Sequence, residues 1–175
     1  MDQLLFMTAV AVAVAAAVSD LSSRRIPNRL TYPALLTGLL LRFSSQGWTG
    51  LRMALLGMLI SGGLFLILYF VQAMGAGDVK LMADVGCLAG SHRVIGILLA
   101  TALAGGVMAV VLMIWKHRVG VTLRRVISLI AFHARHGFKP HPEINLSNEA
   151  ALRLPYGAAI AAGTVYVFIA GMVWR

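Results

Sequence analysis

The chain holds one cysteine in 175 residues, Cys87, and six acidic residues against fifteen Lys and Arg. A single thiol excludes an internal disulfide and a four-cysteine zinc site. Placed inside an apolar stretch, Cys87 reads as a small packed residue. A basic n-region is missing as well, because Met1-Asp2-Gln3 carries only an acid. The Ala-rich start is therefore read as a retained first span and not as a secretory signal. With 59% hydrophobic and 12% charged residues and a mean hydropathy of +0.85, the composition excludes a soluble globular domain and indicates a multi-span membrane protein. The formal charge of +9 resides on residues that flank apolar runs and form no aromatic-interleaved patch. That pattern argues against nucleic acid as a partner and for a lipid membrane with anionic headgroups.

A span needs about 20 apolar residues, with roughly 17 to 25 tolerated. Four runs qualify: Leu4 to Ser19, Met53 to Val71, Val94 to Trp115, and Leu154 to Trp174. Two shorter runs, Leu30 to Leu41 and Leu81 to Gly90, are bracketed by charge or glycine and span with help from their flanks. The expected architecture is all-α, a polytopic membrane helical bundle of about six transmembrane helices in a single domain over residues 1–175. Glycine pairs, Gly62-Gly63 and Gly105-Gly106, lie within helical runs and let neighbouring helices approach.

Lys and Arg in short loops set orientation. The loops after spans one, three and five carry eleven of the fifteen, and the opposite side keeps Arg42, Arg52, Arg93 and Arg175. This asymmetry puts both termini outside and the basic loops in the cytoplasm. The longest polar stretch, 116–153, repeats Val119, Leu123, Val126, Ile127 and Ile130 at helical spacing, and is expected to hold an amphipathic helix on the inner membrane surface. A turn-rich connector, Lys139-Pro140-His141-Pro142-Glu143, comes after it.

Scarce acids make two placements informative. Asp20 ends the first apolar run, and Asp78 closes Gly75-Ala76-Gly77-Asp78 after the third. Carboxylates are costly beside lipid, so they are candidates for function. Asp20 follows one crossing and Asp78 follows three. Equal parity puts them on one face, provided that the run Leu30 to Leu41 crosses. Two nearby carboxylates resist ionising together and share a proton, which is the state that peptide hydrolysis requires: one ionised group activates water and one protonated group holds the scissile carbonyl. The titrations belong to the pair. Gly75 and Gly77 are expected to permit a tight turn and close approach of a substrate strand, with a helix beginning near Asp78. Ile26-Pro27-Asn28 reads as a helix stop and restart, with Asn28 capping the second helix.

Asp20 with Arg25-Ile26-Pro27-Asn28, then Gly75-Ala76-Gly77-Asp78-Val79-Lys80-Leu81, and late Leu154-Pro155-Tyr156-Gly157-Ala158 together resemble the type IV prepilin peptidases. The resemblance covers nearly the whole chain. It implies an aspartic endopeptidase of the bacterial inner membrane that removes the short leader of pilin-like precursors after a glycine, at the cytoplasmic face, without a cofactor. Residue by residue it implies Asp20 and Asp78 as the catalytic pair and Gly75 and Gly77 as the glycine motif. Lys80, Arg24, Arg25, Pro27 and Asn28 are expected to shape the site or touch substrate. An acidic residue just beyond the cut is expected to meet Arg24, Arg25 or Lys80. Long bifunctional members add a cytoplasmic domain with paired Cys-x-x-Cys motifs. With one cysteine, this chain resembles instead the short peptidases of tight-adherence (Flp-type) pilus systems.

Other readings stay open. An archaeal-preflagellin-like enzyme or another Gly-x-Gly-Asp membrane protease fits the same motifs. A proton-coupled transporter subunit with Asp20, Asp78 and Asp84 as a relay fits the buried acids, and a scaffold without chemistry is the third class. Asp84, six residues past Asp78, is expected to be a structural polar group with a partner on another helix. His92, His117, His133, His136 and His141 have no acidic or cysteine ligand at suitable spacing, and no metal site is expected.

Overall fold

The computed structural model describes residues 2–116 and 154–173, with Gly120, Arg124, Ile127, Ser128, Ala131 and Gly137 between them. The amphipathic helix and connector expected within 116–153 lie outside those two stretches. The described residues form five helices: α1 (Asp2–Ser23), α2 (Asn28–Phe70), α3 (Ala76–Ala89), α4 (Ser91–Trp115) and α5 (Tyr156–Val173). α1, α2, α4 and α5 are long and apolar enough to cross a membrane. Leu4, Leu59, Leu103 and Tyr166, each more than 60% exposed, lie on those four helices. Apolar surface of that extent suits lipid and not water. The molecule is an all-α membrane bundle.

The helix count departs from six in two places. The expected second and third spans are one helix, α2, interrupted only at Gly47, whose φ of 58° and ψ of −141° are non-helical. No side chain tolerates that backbone as glycine does. The fourth expected span is α3, whose 14 residues reach about 21 Å at 1.5 Å per residue, short of the roughly 30 Å hydrocarbon core.

Contacts along α3 show what Gly47 does. Before it, Asn28 and Tyr32 meet Lys80, Gly38 abuts Cys87 and Leu88, and Arg42 reaches the Leu88 carbonyl. After it, Gly57 abuts Gly86, Ser61 donates to the Met82 carbonyl at 2.9 Å, and Gly62 abuts Ala83. The first arm of α2 thus runs with α3 and the second runs against it. The chain reverses at Gly47, and one helix supplies two antiparallel legs.

α3 lies at the centre, with Leu81, Met82, Val85 and Leu88 fully buried. α1 presents Ala9, Ala13, Ala16 and Ala17 inward. It pairs antiparallel with α5, because Gly157 meets Asp20 at one end and Phe168 stacks edge-on against Phe6 at the other, 5.4 Å between ring centroids. One member of each glycine pair makes the expected close approach: Gly62 to Ala83 and Gly105 to Tyr156, whereas Gly63 and Gly106 face open space.

A polar cluster closes the end of the bundle away from Asp20. Asp2 accepts from Arg42 at 2.8 Å and from Gln46 at 2.7 Å, and Arg42 is 1% exposed. Arg42, expected as a loop charge, is instead a buried tie between α1, α2 and α3. Its burial is supported because the Leu88 carbonyl, freed near the end of α3, accepts a second guanidinium N–H at 2.9 Å.

Gly57 and Gly86 set the closest helix approach, since a Cβ on either would strike the backbone of the other. Gly57→Ala and Gly86→Ala are each expected to destabilise the protein by about 1–3 kcal/mol, the scale of overpacking, whereas Gly63→Ala, in open space, stabilises by up to about 1 kcal/mol through helix propensity. Thermal unfolding in detergent, followed by circular dichroism, measures the three.

Candidate active site

Asp20 sits near the C-terminal end of α1, where the chain is about to leave the helix at Ser23. It is 9% exposed. The N–H of Gly157, in the first turn of α5, donates to its Oδ2 at 2.9 Å. Asp78 occupies the third position of α3. Its Oδ2 accepts the Gly75 N–H at 3.2 Å, and its own N–H donates back to the Gly75 carbonyl at 3.1 Å. Each carboxylate therefore lies against the N-terminal turn of a helix, where unpaired N–H groups favour negative charge.

Both carboxylates line one cavity of about 410 Å³, together with Leu21, Arg24, Gly75, Leu154, Pro155 and Tyr156. That volume falls in the range of ligand sites, about 300–1,000 Å³. Three separate segments build it: the end of α1 with Arg24 just beyond it, the turn before α3 with the first turn of α3, and the approach to α5 with its first residue. Asp78 lies in the first turn of the short α3, ahead of its apolar run. Burial pushes its carboxyl up to about 6; the Gly75 N–H pulls the other way, and the charge of Asp20 adds to the rise. A carboxyl so placed keeps its proton further toward neutrality than a surface aspartate.

Arg24 is the cation that lines the cavity among the residues expected to shape the site. Arg25, Pro27, Asn28, Gly77 and Lys80 lie outside the lining. Lys80 instead donates to Asn28 Oδ1 at 2.8 Å and to the Tyr32 hydroxyl at 3.4 Å, and stands 5.1 Å over the Tyr32 ring. It ties the start of α2 to α3. Pro27, extended at φ −73° and ψ 139°, is the residue that precedes α2, and no side chain caps that helix. Asn28 is therefore a helical residue that receives Lys80, and not the expected cap. The carbonyl of Arg25 accepts the Ser19 hydroxyl at 2.9 Å, which holds the loop between α1 and α2.

The glycine motif works by space and not by left-handed backbone. Gly75 has φ −82° and ψ 152°, a conformation open to any residue. A Cβ there would approach Asp78 Oδ2 at 3.3 Å, and one on Gly77 would approach Ile26 at 3.2 Å. Left-handed backbone falls instead on two non-glycine residues, Arg24 at φ 52°, which lines the cavity, and Gln72 at φ 58° in the link between α2 and α3. Such outliers cost about 1–3 kcal/mol and cluster at functional sites.

Asp84 does not line the cavity. It is 1% exposed, and its Oδ2 has no hydrogen-bond partner, so the partner expected for it on another helix is not found at that oxygen. Among the described residues, no three His, Cys, Asp or Glu side chains converge to hold a metal ion. The residues that sequence reasoning leaves without a role are Tyr156 and Gly157. Their signal is present in Leu154-Pro155-Tyr156-Gly157, a proline-led helix start with a glycine in its first turn.

The Type IV leader peptidase family matches the chain over residues 7–110, more than half its length. The prepilin leader peptidase/N-methyltransferase of Myxococcus xanthus (strain DK1622) is 29% identical over 118 residues, which are 63% of this chain and 35% of that protein. The chain thus matches about a third of the length of that relative. No solved structure matches.

The Lys80–Asn28 contact carries its own expectation. A double-mutant cycle of Lys80→Met and Asn28→Ala, read by thermal unfolding in detergent, should give a coupling of about 0.5–1.5 kcal/mol, as for a partly exposed charge-assisted bond.

Proposed function

The chain belongs to the type IV leader peptidase family, and on that premise we propose that it removes the leader of a pilin-like precursor with Asp20 and Asp78 as the hydrolytic pair. The observation that carries the reading is that these two carboxylates, 58 residues apart in sequence, line one cavity at one end of the bundle. Hydrolysis then needs no further group. The ionised carboxylate takes a proton from water as the water oxygen adds to the scissile carbonyl carbon, and the protonated carboxyl donates to the carbonyl oxygen. On collapse the C–N bond breaks, and the proton taken from water passes to the leaving amine. Asp78, with its raised carboxyl, is the natural holder of the proton.

The eleven basic residues counted on the Asp20 side favour a cytoplasmic position for the cavity in an inner membrane, with both termini outside. Arg24 lines the cavity, which favours it over Arg25 and Lys80 as the cation that meets an acidic residue beyond the cut. The transporter reading is weaker, because a relay through Asp84 would have to leave the cavity that Asp20 and Asp78 share.

Asp20→Asn and Asp78→Asn should each lower cleavage of a pilin-like precursor by about 10³-fold or more, the scale of losing one member of a catalytic set, while membrane insertion is retained. Sequencing the new N-terminus of the product in detergent checks this, and full processing by either variant rules out the pair.

The pH dependence has a definite sign. A raised Asp78 carboxyl holds its proton below about 6 and loses it above, so the competent singly protonated pair decays as pH rises. The kcat/KM profile should therefore show a descending alkaline limb with its midpoint at about 6, approaching tenfold loss per pH unit beyond it. Initial rates across pH 4 to 9, at roughly half-unit steps, measure the limb.

A further inference from the structure

We propose that Gly157 is a positioning residue for Asp20, so that the first turn of α5 is a working part of the site although it lies outside the matched stretch 7–110. The inference rests on the reading of Asp20 and Asp78 as the hydrolytic pair. It comes from one contact and from the space around it. The Gly157 N–H donates to Asp20 Oδ2 at 2.9 Å, buried, across 137 residues of sequence. A Cβ at position 157 would lie 3.0 Å from both the Cβ and Oδ2 of Asp20 and 3.3 Å from its Cγ. Those distances are shorter than ordinary van der Waals contact, so a side chain here requires the Asp20 carboxylate to shift by a few tenths of an ångström against its bond to the N–H. Glycine is the residue that lets backbone and carboxylate meet.

The charged and titratable groups that share the cavity with Asp20 are Arg24 at the end of its own helix, Asp78 on α3 and Tyr156 on α5. Arg24 is solvent-exposed, where a charge contact contributes little. Asp78 is of like charge when ionised, and its carboxylate is taken up by the Gly75 N–H. The buried Gly157 N–H is the contact that gives the Asp20 carboxylate an orientation. The 18-residue helix behind it adds its positive end at the same point. A carboxylate turned from this bond still binds substrate in the same cavity but addresses water from the wrong angle. Misplacement by about 1 Å can cost on the order of 100-fold in rate.

The test compares Gly157→Ala with Gly171→Ala, a site on the same helix where a Cβ meets nothing within 4 Å. With a pilin-like precursor in detergent, Gly157→Ala should lower kcat by about 10- to 100-fold with KM unchanged, and Gly171→Ala should match the wild type in both. A wild-type kcat in Gly157→Ala, or a loss confined to KM, overturns the proposal. A second measurement holds even if Gly157→Ala fails to fold. Tyr156-Gly157 is the one Tyr-Gly pair in the sequence, so ¹³C-carbonyl tyrosine with ¹⁵N-glycine isolates a single amide in the NMR spectrum. Its proton should move upfield in Asp20→Asn and stay in place in Asp78→Asn. An amide indifferent to Asp20→Asn overturns the positioning role. Absence of cleavage by the wild type instead overturns the hydrolytic reading beneath it, whatever that amide reports.

Discussion

Asp78 reaches the same end of the bundle as Asp20 because α2 reverses at Gly47 and returns along α3. An uninterrupted α2 of 43 residues would extend about 64 Å, twice the thickness of a bilayer core, and would carry the Gly75–Asp78 turn far from α1. The reversal needs a backbone that L side chains rarely adopt, φ 58°. It is then held by close contacts in both arms, Gly38 against Cys87 and Leu88 and Gly57 against Gly86. Small residues here act as steric permission. Between helices in lipid, where apolar surface gains little by meeting other apolar surface, association depends on such close packing and on a few buried hydrogen bonds. Ser61 to the Met82 carbonyl and Arg42 to the Leu88 carbonyl are two of these.

The two ends of the bundle divide their labour by polarity. At the far end, Asp2 receives both Arg42 and Gln46, and a buried guanidinium is held by that carboxylate and the Leu88 carbonyl, with its Nε left without a partner among the described residues. At the other end the carboxylates of Asp20 and Asp78 are each met by one backbone N–H and border an open cavity. Backbone donors orient a carboxylate without neutralising it, as an ion pair would. That difference separates a structural acid from one available for chemistry. Arg24 and Lys80 illustrate it again: Lys80 is engaged by Asn28 and Tyr32, whereas Arg24 borders the cavity itself.

The order of the helices, their membrane character and the parity that places Asp20 and Asp78 at one end were legible in the sequence. Long apolar runs have few alternatives to helix in lipid, where each backbone polar group must be satisfied within its own segment. The charge-bearing interruptions mark the ends of those runs. The joining of two runs into α2 was not legible, because a polar Ser44-Ser45-Gln46-Gly47 stretch reads equally as a loop or as a helix with a reversal. Position after Pro27 makes Asn28 read as a cap, but the competing bond from Lys80, 52 residues away, takes its side chain. Arg42 reads as a surface charge, since sequence carries no sign of the carbonyl that receives it.

From sequence alone came the class of the molecule, the pair of acids and the family resemblance, because composition and local motif are properties of neighbouring residues. Tertiary structure decided which groups surround those acids. Gly157 lies 137 residues from Asp20, and its N–H becomes a partner only because α5 packs antiparallel to α1. The same packing makes Tyr156 a wall of the cavity and leaves Asp84 outside it. Such contacts depend on the distance between helix axes, a quantity set by many small residues together and written in no single motif.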